Sequence, residues 1–174
     1  NHRILTLKKQ TMKTLKGERV LDAIDGMSIH LPLVKRLDEC FSPSGEVLDS
    51  ASSTLKSLRK QYRDVEASIL KQTQDFMRVN ASKLSEQVMT QRQDRYVLMA
   101  KISEKNTFNG LVVGESASGQ TAYVEPAFLM QLNNQKQTIT SLIENEIEKI
   151  AWECSALVGD HALTLMASHE SLMM

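Results

Sequence analysis

Apolar residues recur at alternating steps of three and four along the first half of the chain. The positions are Leu48, Ala51, Leu55, Leu58, Tyr62, Val65 and Ile69, and after a further heptad Phe76 and Val79. This spacing puts the apolar side chains on one face of a helix and is typical of a helix that packs along a partner. It predicts a long helix over residues 48–79, about 48 Å in length at ~1.5 Å per residue.

A second helical stripe follows Pro126 and offers the natural partner. Its apolar positions are Leu132, Ile139, Ile143, Ile147, Ile150, Cys154 and Leu157. Pro126 suits the first turn of a helix, because the N–H that proline lacks has no partner there. The similar lengths of the two stripes predict antiparallel pairing of a helix over 126–158 with the helix over 48–79.

Between the two helices the hydrophobic period changes to two, which is typical of β-strands. The alternation predicts four short strands, over 87–92, 95–102, 110–115 and 119–125. Gln93 and Asp94 provide a two-residue turn for the first hairpin. The second hairpin turns at residues 116–118, and the Gly119 that follows them is free to adopt a positive φ.

These elements predict a mainly α fold, a long antiparallel helical arm with a small antiparallel β-subdomain inserted at its tip. The predicted segments are a helical core segment over 1–47, a first arm helix over 48–86, a β-rich tip over 87–125, and a return arm helix with core over 126–174.

Residues 3–16 also have a helical pattern that ends at a plausible glycine cap, Gly17. Ile4, Leu5, Met12 and Leu15 lie on one side of this predicted helix. The first 16 residues contain no acidic residue and five basic ones, which are Arg3, Lys8, Lys9, Lys13 and Lys16.

Charge excludes a generally basic surface, because 21 basic residues balance 21 acidic ones. Any nucleic-acid contact must therefore be local. Residues 51–86 are mildly positive and residues 126–174 are negative, which also fits two helices of opposite sign lying side by side. Cys40 and Cys154 lack metal-site spacing and are interpreted as buried, reduced thiols. No apolar run reaches the ~20 residues of a membrane span, and we interpret the chain as a fragment of a longer cytoplasmic protein.

Catalytic chemistry finds no support in the sequence. Residues 114–121 read G-x-x-x-x-G-Q-T, a phosphate loop in which Gln120 replaces the required lysine and a strand follows instead of a helix. They predict a hairpin turn. The histidines lack ligand spacing, and Trp152 is expected in a core or an interface. We therefore predict no catalytic residue, no metal site and no cofactor within this fragment.

Candidate nucleic-acid contacts come from two groups of cations, one on the first long helix and one near the predicted tip. Acidic residues at the tip match its cations in number, so the helix is the more basic of the two regions. The predicted contact residues are Lys56, Arg59, Lys60, Arg63, Arg95, Lys101 and Lys105.

Five short motifs occur in an order and spacing that resemble a known family. They are GEVLDSAS at 45–52, RYV at 95–97, SASGQT at 116–121, VEP at 124–126 and LNN at 132–134. Over roughly residues 28–160 the chain resembles the MutS family, the mismatch repair family, in its second bacterial branch. It departs from the usual pattern at 98–101, where Leu-Met-Ala-Lys stands in place of Ile-Pro-Val-Lys and Lys101 is kept.

The resemblance implies the helical core, or lever, with its inserted clamp, a non-catalytic region just upstream of an ATPase domain. It also implies a homodimer in which the ATPase domain binds ATP and magnesium and a small MutS-related domain acts as a nuclease, both outside this fragment. The branch is associated with suppressing recombination through branched DNA and with splitting stalled ribosomes in ribosome rescue. The expected partner is therefore DNA or the ribosome. The alternative is a coiled-coil scaffold that binds protein and makes no nucleic-acid contact.

Overall fold

The computed structural model describes residues 30–173, which form four α-helices and four β-strands. The helices are α1 Leu31–Cys40, α2 Ser53–Val79, α3 Ala127–Asp160 and α4 Ala162–Met173. The strands are β1 Leu84–Arg92, β2 Arg95–Lys101, β3 Gly110–Glu115 and β4 Thr121–Pro126. The helix predicted over residues 3–16 and its Gly17 cap lie outside the described residues.

Helix α2 begins five residues later than predicted. Residues Asp49–Ala51 form a 3₁₀ turn, and Ser52 then caps the helix by accepting a hydrogen bond from the Leu55 amide at 2.9 Å. A serine in this position satisfies one of the amides that the first turn leaves without a partner. The local capping signal therefore decides where the helix begins, rather than the apolar stripe.

The predicted heptad on α2 also fails near its end. Thr73 is fully buried, whereas the Gln72 that the heptad would place inward is exposed. Ile69 and Thr73 are four residues apart, so the buried face follows the ~3.6-residue period of a straight helix instead of the 3.5-residue period of a coiled coil. Val79, predicted to be on the stripe, is 79% exposed.

The strands form one antiparallel sheet in the order β1-β2-β4-β3, which confirms the predicted number of strands. The two-residue turn between β1 and β2 is also confirmed, because Gln93 and Asp94 adopt φ angles of 50° and 61°, as a tight hairpin turn requires. Gly119, with φ of 69°, turns the β3–β4 hairpin. Pro126 ends β4 and does not enter a helix as predicted, since α3 begins at Ala127.

One face of the sheet packs against α2 and α3 in a shared apolar core. Its buried members are Val65, Ile69, Leu84, Leu98, Ala100, Phe108, Ala122, Val124, Leu129 and Ile139. The rings of Phe76 and Phe128 lie 5.1 Å apart, and Glu66 forms an ion pair with Lys136 at 3.4 Å. These contacts join the later part of α2 to the early part of α3, so the two helices run in opposite directions where they meet.

The prediction of a mainly α arm with the sheet at its tip is wrong. The structure is a small mixed α/β domain, 63% helical and 21% strand, with four helices and a four-stranded antiparallel sheet. The apolar stripes on α2 and α3 are buried against the sheet as well as toward each other, because a sheet face and a helix stripe must both be removed from water. Periodicity identifies the apolar face of each helix but not the element that covers it.

The described residues divide into two compact units, one of residues 30–55 with 146–173 and the other of residues 56–145. The second unit contains the sheet and the core described above. In the described part of the first unit, Arg36 donates a hydrogen bond to the Ala51 carbonyl at 3.1 Å, and Ser52 donates one to Glu146 at 2.8 Å. Cys40 and Cys154 are buried free thiols, as predicted.

Within residues 30–173, no helix combines the length and the hydropathy that crossing a bilayer requires.

Candidate nucleic-acid interface

Four of the predicted cations lie together on one side of α2. Lys56, Arg59, Lys60 and Arg63 are spaced at i, i+3, i+4 and i+7, which brings them onto a common helix face, away from the buried Leu58. All but the half-buried Arg59 are exposed. The contact between Lys60 and Asp64, 4.0 Å apart and exposed on both sides, is of a kind that contributes little to stability.

Two further cations extend this face and were not among the predicted contacts. At ~100° of rotation per residue, Lys71 and Arg78 lie within about 60° of Lys56 on the helix, and both are exposed. Arg78 also contacts Asp75 at 3.1 Å. Helical periodicity applied to the predicted helix would have found these two, whereas the first four residues were recognised by their density in the sequence. We call the six residues the α2 cationic face, which is about 33 Å long at ~1.5 Å per residue.

The three predicted cations near the sheet each have a partner within the protein. Arg95 contacts Glu125 at 2.7 Å, Lys101 donates to the Ser82 carbonyl at 2.7 Å, and Lys105 contacts Glu115 at 2.8 Å. Arg95 and Lys101 stand at opposite ends of β2, about 20 Å apart at ~3.3 Å per residue. The fold does not gather these three cations into one patch.

Arg95 belongs to a buried polar network that joins β2, β4 and α3. Its guanidinium donates to both carboxylate oxygens of Glu125 at 2.7–3.0 Å. The Asn133 side-chain amide nitrogen donates to the same carboxylate at 2.6 Å and to the Tyr96 carbonyl. The Asn133 side-chain oxygen accepts a hydrogen bond from the Tyr96 amide. Glu125 is 1% exposed, so its charge is stabilised by these donors rather than by water.

This network unites three of the motifs that carry the family resemblance. Arg95 comes from RYV, Glu125 from VEP and Asn133 from LNN, with Asn134 of LNN accepting a further hydrogen bond from Arg95 at 2.8 Å. The motif residues therefore hold the sheet on α3. Sequence reasoning assigned Arg95 to nucleic acid because an isolated arginine gives no sign of a buried carboxylate 30 positions away.

A second polar cluster surrounds Lys136 on α3. Its ammonium lies 4.5 Å from the centre of the Tyr96 ring and 5.6 Å from that of Tyr62, beside the Glu66 carboxylate. Burial acts to lower the pKa of Lys136, but the hydrogen bond with Tyr96 and the proximity of both tyrosines outweigh it, so the pKa is raised. Lys136 therefore remains charged at neutral pH.

A cleft of about 600 Å³ opens beside these two clusters. It has a mixed lining of amides, hydroxyls and charges of both signs, and its residues are Tyr62, Gln93, Asp94, Arg95, Asn133, Lys136, Gln137, Thr140, Ser141 and Glu144. The cations in this lining already pair with carboxylates of the protein. The lining includes no nucleophile with a partnered base, so it does not support a catalytic assignment.

The segment that resembles a phosphate loop is a hairpin turn, as predicted. Ser116 accepts a hydrogen bond from the Thr121 amide at 3.1 Å, and the Gly119 amide donates to the Ser116 carbonyl at 2.9 Å. Strands β3 and β4 flank it on both sides. A nucleotide phosphate loop leads into a helix and needs a lysine, and this turn has neither feature.

Two histidines that are far apart in sequence meet in the first unit. The rings of His30 and His161 pack edge to face, with centroids 4.7 Å apart, and His30 Nε2 lies 3.1 Å from Thr164 Oγ1. No local spacing in the sequence signals this pair. Among residues 30–173, no group of three or more potential metal-binding side chains occurs.

Trp152 does not lie in the core, which was one of its two expected positions. It is 70% exposed on α3, two residues from each of the buried Ile150 and Cys154 and therefore on the opposite side of the helix. Its other expected position, an interface, remains a prediction.

Comparison with known proteins finds relatives that match most of the chain, although no family model matches it. Endonuclease MutS2 from Geobacillus sp. (strain WCH70) is 35% identical over 145 residues, 82% of this chain. Endonuclease MutS2 from Shouchella clausii is 36% identical over 81% of the chain, and that from Geobacillus thermodenitrificans is 34% identical over 94%. The chain spans 18–22% of the length of these relatives.

Proposed function

We propose that this chain is a non-catalytic fragment of a MutS-related protein that acts on nucleic acid. Relatives about 35% identical over most of its length support its place in the MutS2 family. In this proposal the α2 cationic face contacts phosphates. The observation that carries it is the gathering of six cations on one face of a helix in a chain with zero net charge. Contacts of this kind bind the backbone without reading sequence.

The seven predicted contact residues have unequal roles in this proposal. Lys56, Arg59, Lys60 and Arg63 supply the main contact, extended by Lys71 and Arg78. Lys101 and Lys105 contribute only if phosphate displaces their present partners. Arg95 contributes least, because its guanidinium would have to leave the buried carboxylate of Glu125, which is costly.

For the whole protein we propose a cytoplasmic homodimer with ATPase and nuclease domains outside this fragment. The word endonuclease in the names of the relatives and their greater length support activity elsewhere in the polypeptide. ATP and magnesium would bind the ATPase domain. The nucleic acid is branched DNA in recombination control and DNA repair, or the RNA of a stalled ribosome, and both present the phosphates that the cationic face requires.

Charge reversal on the α2 cationic face tests the proposal. Lys56→Glu combined with Lys60→Glu should abolish binding of the chain to four-way junction DNA or to purified ribosomes. Lys35→Glu combined with Lys149→Glu is the matched control, because it changes net charge by the same amount at exposed lysines on other helices. Binding that falls equally in both variants contradicts a specific face and indicates only a general charge effect.

The alternative is a scaffold that contacts protein and no nucleic acid. The exposed Trp152, Leu163 and Met166 favour it, because large exposed apolar groups often mark protein contacts. The same assay separates the two functions. If neither the chain nor the full-length protein binds junction DNA or ribosomes at low salt, the scaffold becomes the better assignment.

A further inference from the structure

Arg92 and Tyr123 lie on the face of the sheet that does not pack against α2 and α3. Arg92 pairs with Arg95 across β1 and β2, and Tyr123 pairs with Met99 across β4 and β2. Residues directly opposite each other in antiparallel strands share a face. Side chains alternate between faces along β2, and Arg95 and Met99 are both an odd number of positions from the core residue Leu98. Arg92 and Tyr123 therefore share the second face of the sheet.

The side chain of Arg92 crosses β2 to reach Tyr123. Strand β2 lies between β1 and β4, so the two backbones are about 10 Å apart at ~4.8 Å per strand. The guanidinium carbon of Arg92 lies 4.3 Å from the centre of the Tyr123 ring. One guanidinium nitrogen also donates a hydrogen bond to the Tyr123 hydroxyl at 2.8 Å. The two planar groups form a unit that we call the Arg92–Tyr123 pair.

The charge of Arg92 is not neutralised by any carboxylate of the described residues. Arg95, which is opposite Arg92 in the hairpin, contacts the carboxylate of Glu125 at 2.7 Å. The contacts of Arg92 are instead with Tyr123, whose hydroxyl is a neutral acceptor. The Arg92 side chain is exposed, so its guanidinium can pair with an anionic ligand.

A groove of about 490 Å³ lies beside the Arg92–Tyr123 pair, which is a volume typical of small-ligand sites. Gly114 leaves room beside the ring, because a Cβ at this position would meet only Tyr123, at 4.0 Å. Gln93, in the turn between β1 and β2, adds a side-chain amide that can both donate and accept hydrogen bonds. The groove is lined by Arg92, Gln93, Val113, Gly114, Glu115, Ser116, Ala117 and Tyr123.

The groove thus combines a planar stacking surface, a cation without a counter-charge and an amide. A nucleotide is complementary to all three, because it has a flat base, a negative phosphate and a base edge with donors and acceptors. Proteins that bind single strands stack bases on tyrosine rings and on arginine planes. A base within a duplex has its faces covered by the neighbouring bases, so the groove favours an unpaired base.

We propose that this groove binds an unpaired base of a single-stranded nucleic acid. The base stacks on the Arg92–Tyr123 pair, the amide of Gln93 contacts its edge, and the adjoining phosphate lies beside the guanidinium of Arg92. This site differs from the α2 cationic face, which consists of cations without an aromatic ring. Binding at the groove does not depend on the proposed phosphate contact of α2.

The fluorescence of 2-aminopurine tests the stacking directly, because stacking on another ring quenches its emission. A short single-stranded oligonucleotide with one 2-aminopurine should lose emission when it binds the full 174-residue chain. Tyr123→Leu removes the ring, so it should weaken binding by about 5- to 100-fold and abolish the quenching. Tyr123→Phe keeps the ring and should retain the quenching. A Tyr123→Leu chain with native affinity and native quenching overturns the proposal.

Two further variants show whether the groove itself is required. Gly114→Val leaves the Arg92–Tyr123 pair in place and fills the groove, so it should also abolish the quenching. Arg92→Gln should weaken both binding and quenching. Lys101→Gln is its matched control, because it removes the same charge from an exposed position on the same face of the sheet, and it should retain the quenching. Equal losses in Arg92→Gln and Lys101→Gln would indicate a general charge effect and overturn the proposal.

Competition experiments distinguish the source of the base. Unlabelled single strand should displace the probe at lower concentration than duplex of equal length or free nucleoside monophosphate. Equal competition by duplex would assign binding to phosphates, equal competition by the monophosphate would assign the groove to a free nucleotide, and either result overturns the proposal. Lys56→Glu combined with Lys60→Glu should leave the quenching at saturation unchanged. Binding without quenching in the native chain would overturn the groove proposal and leave that of the α2 cationic face intact.

Discussion

At the scale of single residues, Thr73 stands out among the described residues as a polar group that the core accommodates poorly. Its side chain is fully buried, and its hydroxyl has no hydrogen-bond partner. A buried hydroxyl without a partner costs free energy. Thr73→Val keeps the shape and removes the hydroxyl, so we expect the free energy of unfolding in urea to rise by about 1 kcal/mol.

Thr73→Ser provides the control for this prediction. It keeps the hydroxyl and removes the methyl group, so the variant should be less stable than the native chain. A Thr73→Val protein that unfolds at lower urea concentration than the native one would show that the hydroxyl has a partner in solution.

Cys40 links stability to alkaline pH. Burial, and after it the hydrogen bond with Cys154, raise the pKa of the Cys40 thiol from 9.0 to about 11. Between these values the unfolded chain releases the thiol proton while the folded chain retains it, so the free energy of unfolding falls as pH rises. The loss should approach 2–3 kcal/mol, at roughly 1.4 kcal/mol per unit.

Tyrosines and lysines titrate in the same range, so the comparison is with Cys40→Ala. This variant should be less stable at pH 8 because of the cavity it creates. Its stability should nevertheless fall less steeply between pH 9 and pH 11 in urea unfolding. Parallel curves for the two proteins would assign the alkaline loss to other groups.

Single residues also mark the limit of what the sequence can tell. Cys40 and Cys154 were correctly predicted to be buried thiols, because isolated cysteines are usually buried. The contact of His30 with His161 was not foreseen, because it depends on how α1 meets the junction of α3 and α4. The burial of Thr73 in place of Gln72 was not predicted. Both residues are polar, so their hydrophobicity does not show which of them faces the core.

At the scale of elements, the approach of β3 to β4 depends on Gly110. A Cβ at this position would collide with the backbone of Glu125 and lie 2.6 Å from the Cα of Pro126. Gly114, on the same strand, has only the Tyr123 ring nearby, 4.0 Å away. Gly110→Ala should lower the free energy of unfolding by about 1–3 kcal/mol, whereas Gly114→Ala should change it by less than about 1 kcal/mol.

The two alanine variants are compared by thermal melting under identical conditions. Equal melting temperatures would mean that β3 and β4 can move apart at Gly110 with no loss of stability. That result would contradict the observed register, in which Gly110 pairs with Pro126.

The joint of the sheet with α3 depends on the charge pair of Arg95 and Glu125. Arg95→Ala would leave the buried Glu125 carboxylate with Asn133 as its remaining side-chain donor, and removing one partner of a buried pair costs about 3–5 kcal/mol. Lys105→Ala removes a cation from a partly exposed pair with Glu115 and should cost less than about 1 kcal/mol. Urea unfolding that gives both variants the same stability would show that Glu125 is hydrated.

Elements were predicted well where local rules determine them and poorly where distant packing does. The four strands and the turn at Gln93 and Asp94 follow from alternation and turn chemistry, which act over a few residues. The helical arm was wrong because nothing in a helix stripe says whether a second helix or a sheet covers it. The extent of α2 was overestimated for a related reason, since the stripe continues through the 3₁₀ turn before Ser52.

At the scale of the whole molecule, the family motifs and the cationic face have different roles. The RYV, VEP and LNN residues hold the fold through Arg95, Glu125 and Asn133, and most of their polar atoms are used inside the protein. The α2 cationic face is exposed except at the half-buried Arg59, and it bears no motif that carries the resemblance. Similarity to the MutS2 relatives therefore supports the family, while the proposed contact depends on charge geometry alone.

The cationic face predicts a particular dependence of binding on salt. For duplex DNA, the slope of log binding constant against log salt concentration is about −0.9 for each phosphate neutralised. If the six residues from Lys56 to Arg78 all contact phosphate, the slope for the chain should approach −5.

Lys56→Gln combined with Lys60→Gln should make this slope less steep by about 2, because two contacts are lost. Lys35→Gln combined with Lys149→Gln removes equal charge elsewhere and should leave the slope unchanged. Fluorescence anisotropy of labelled duplex from 50 to 200 mM salt measures all three slopes, and equal slopes for the two variants would exclude α2 as the contact.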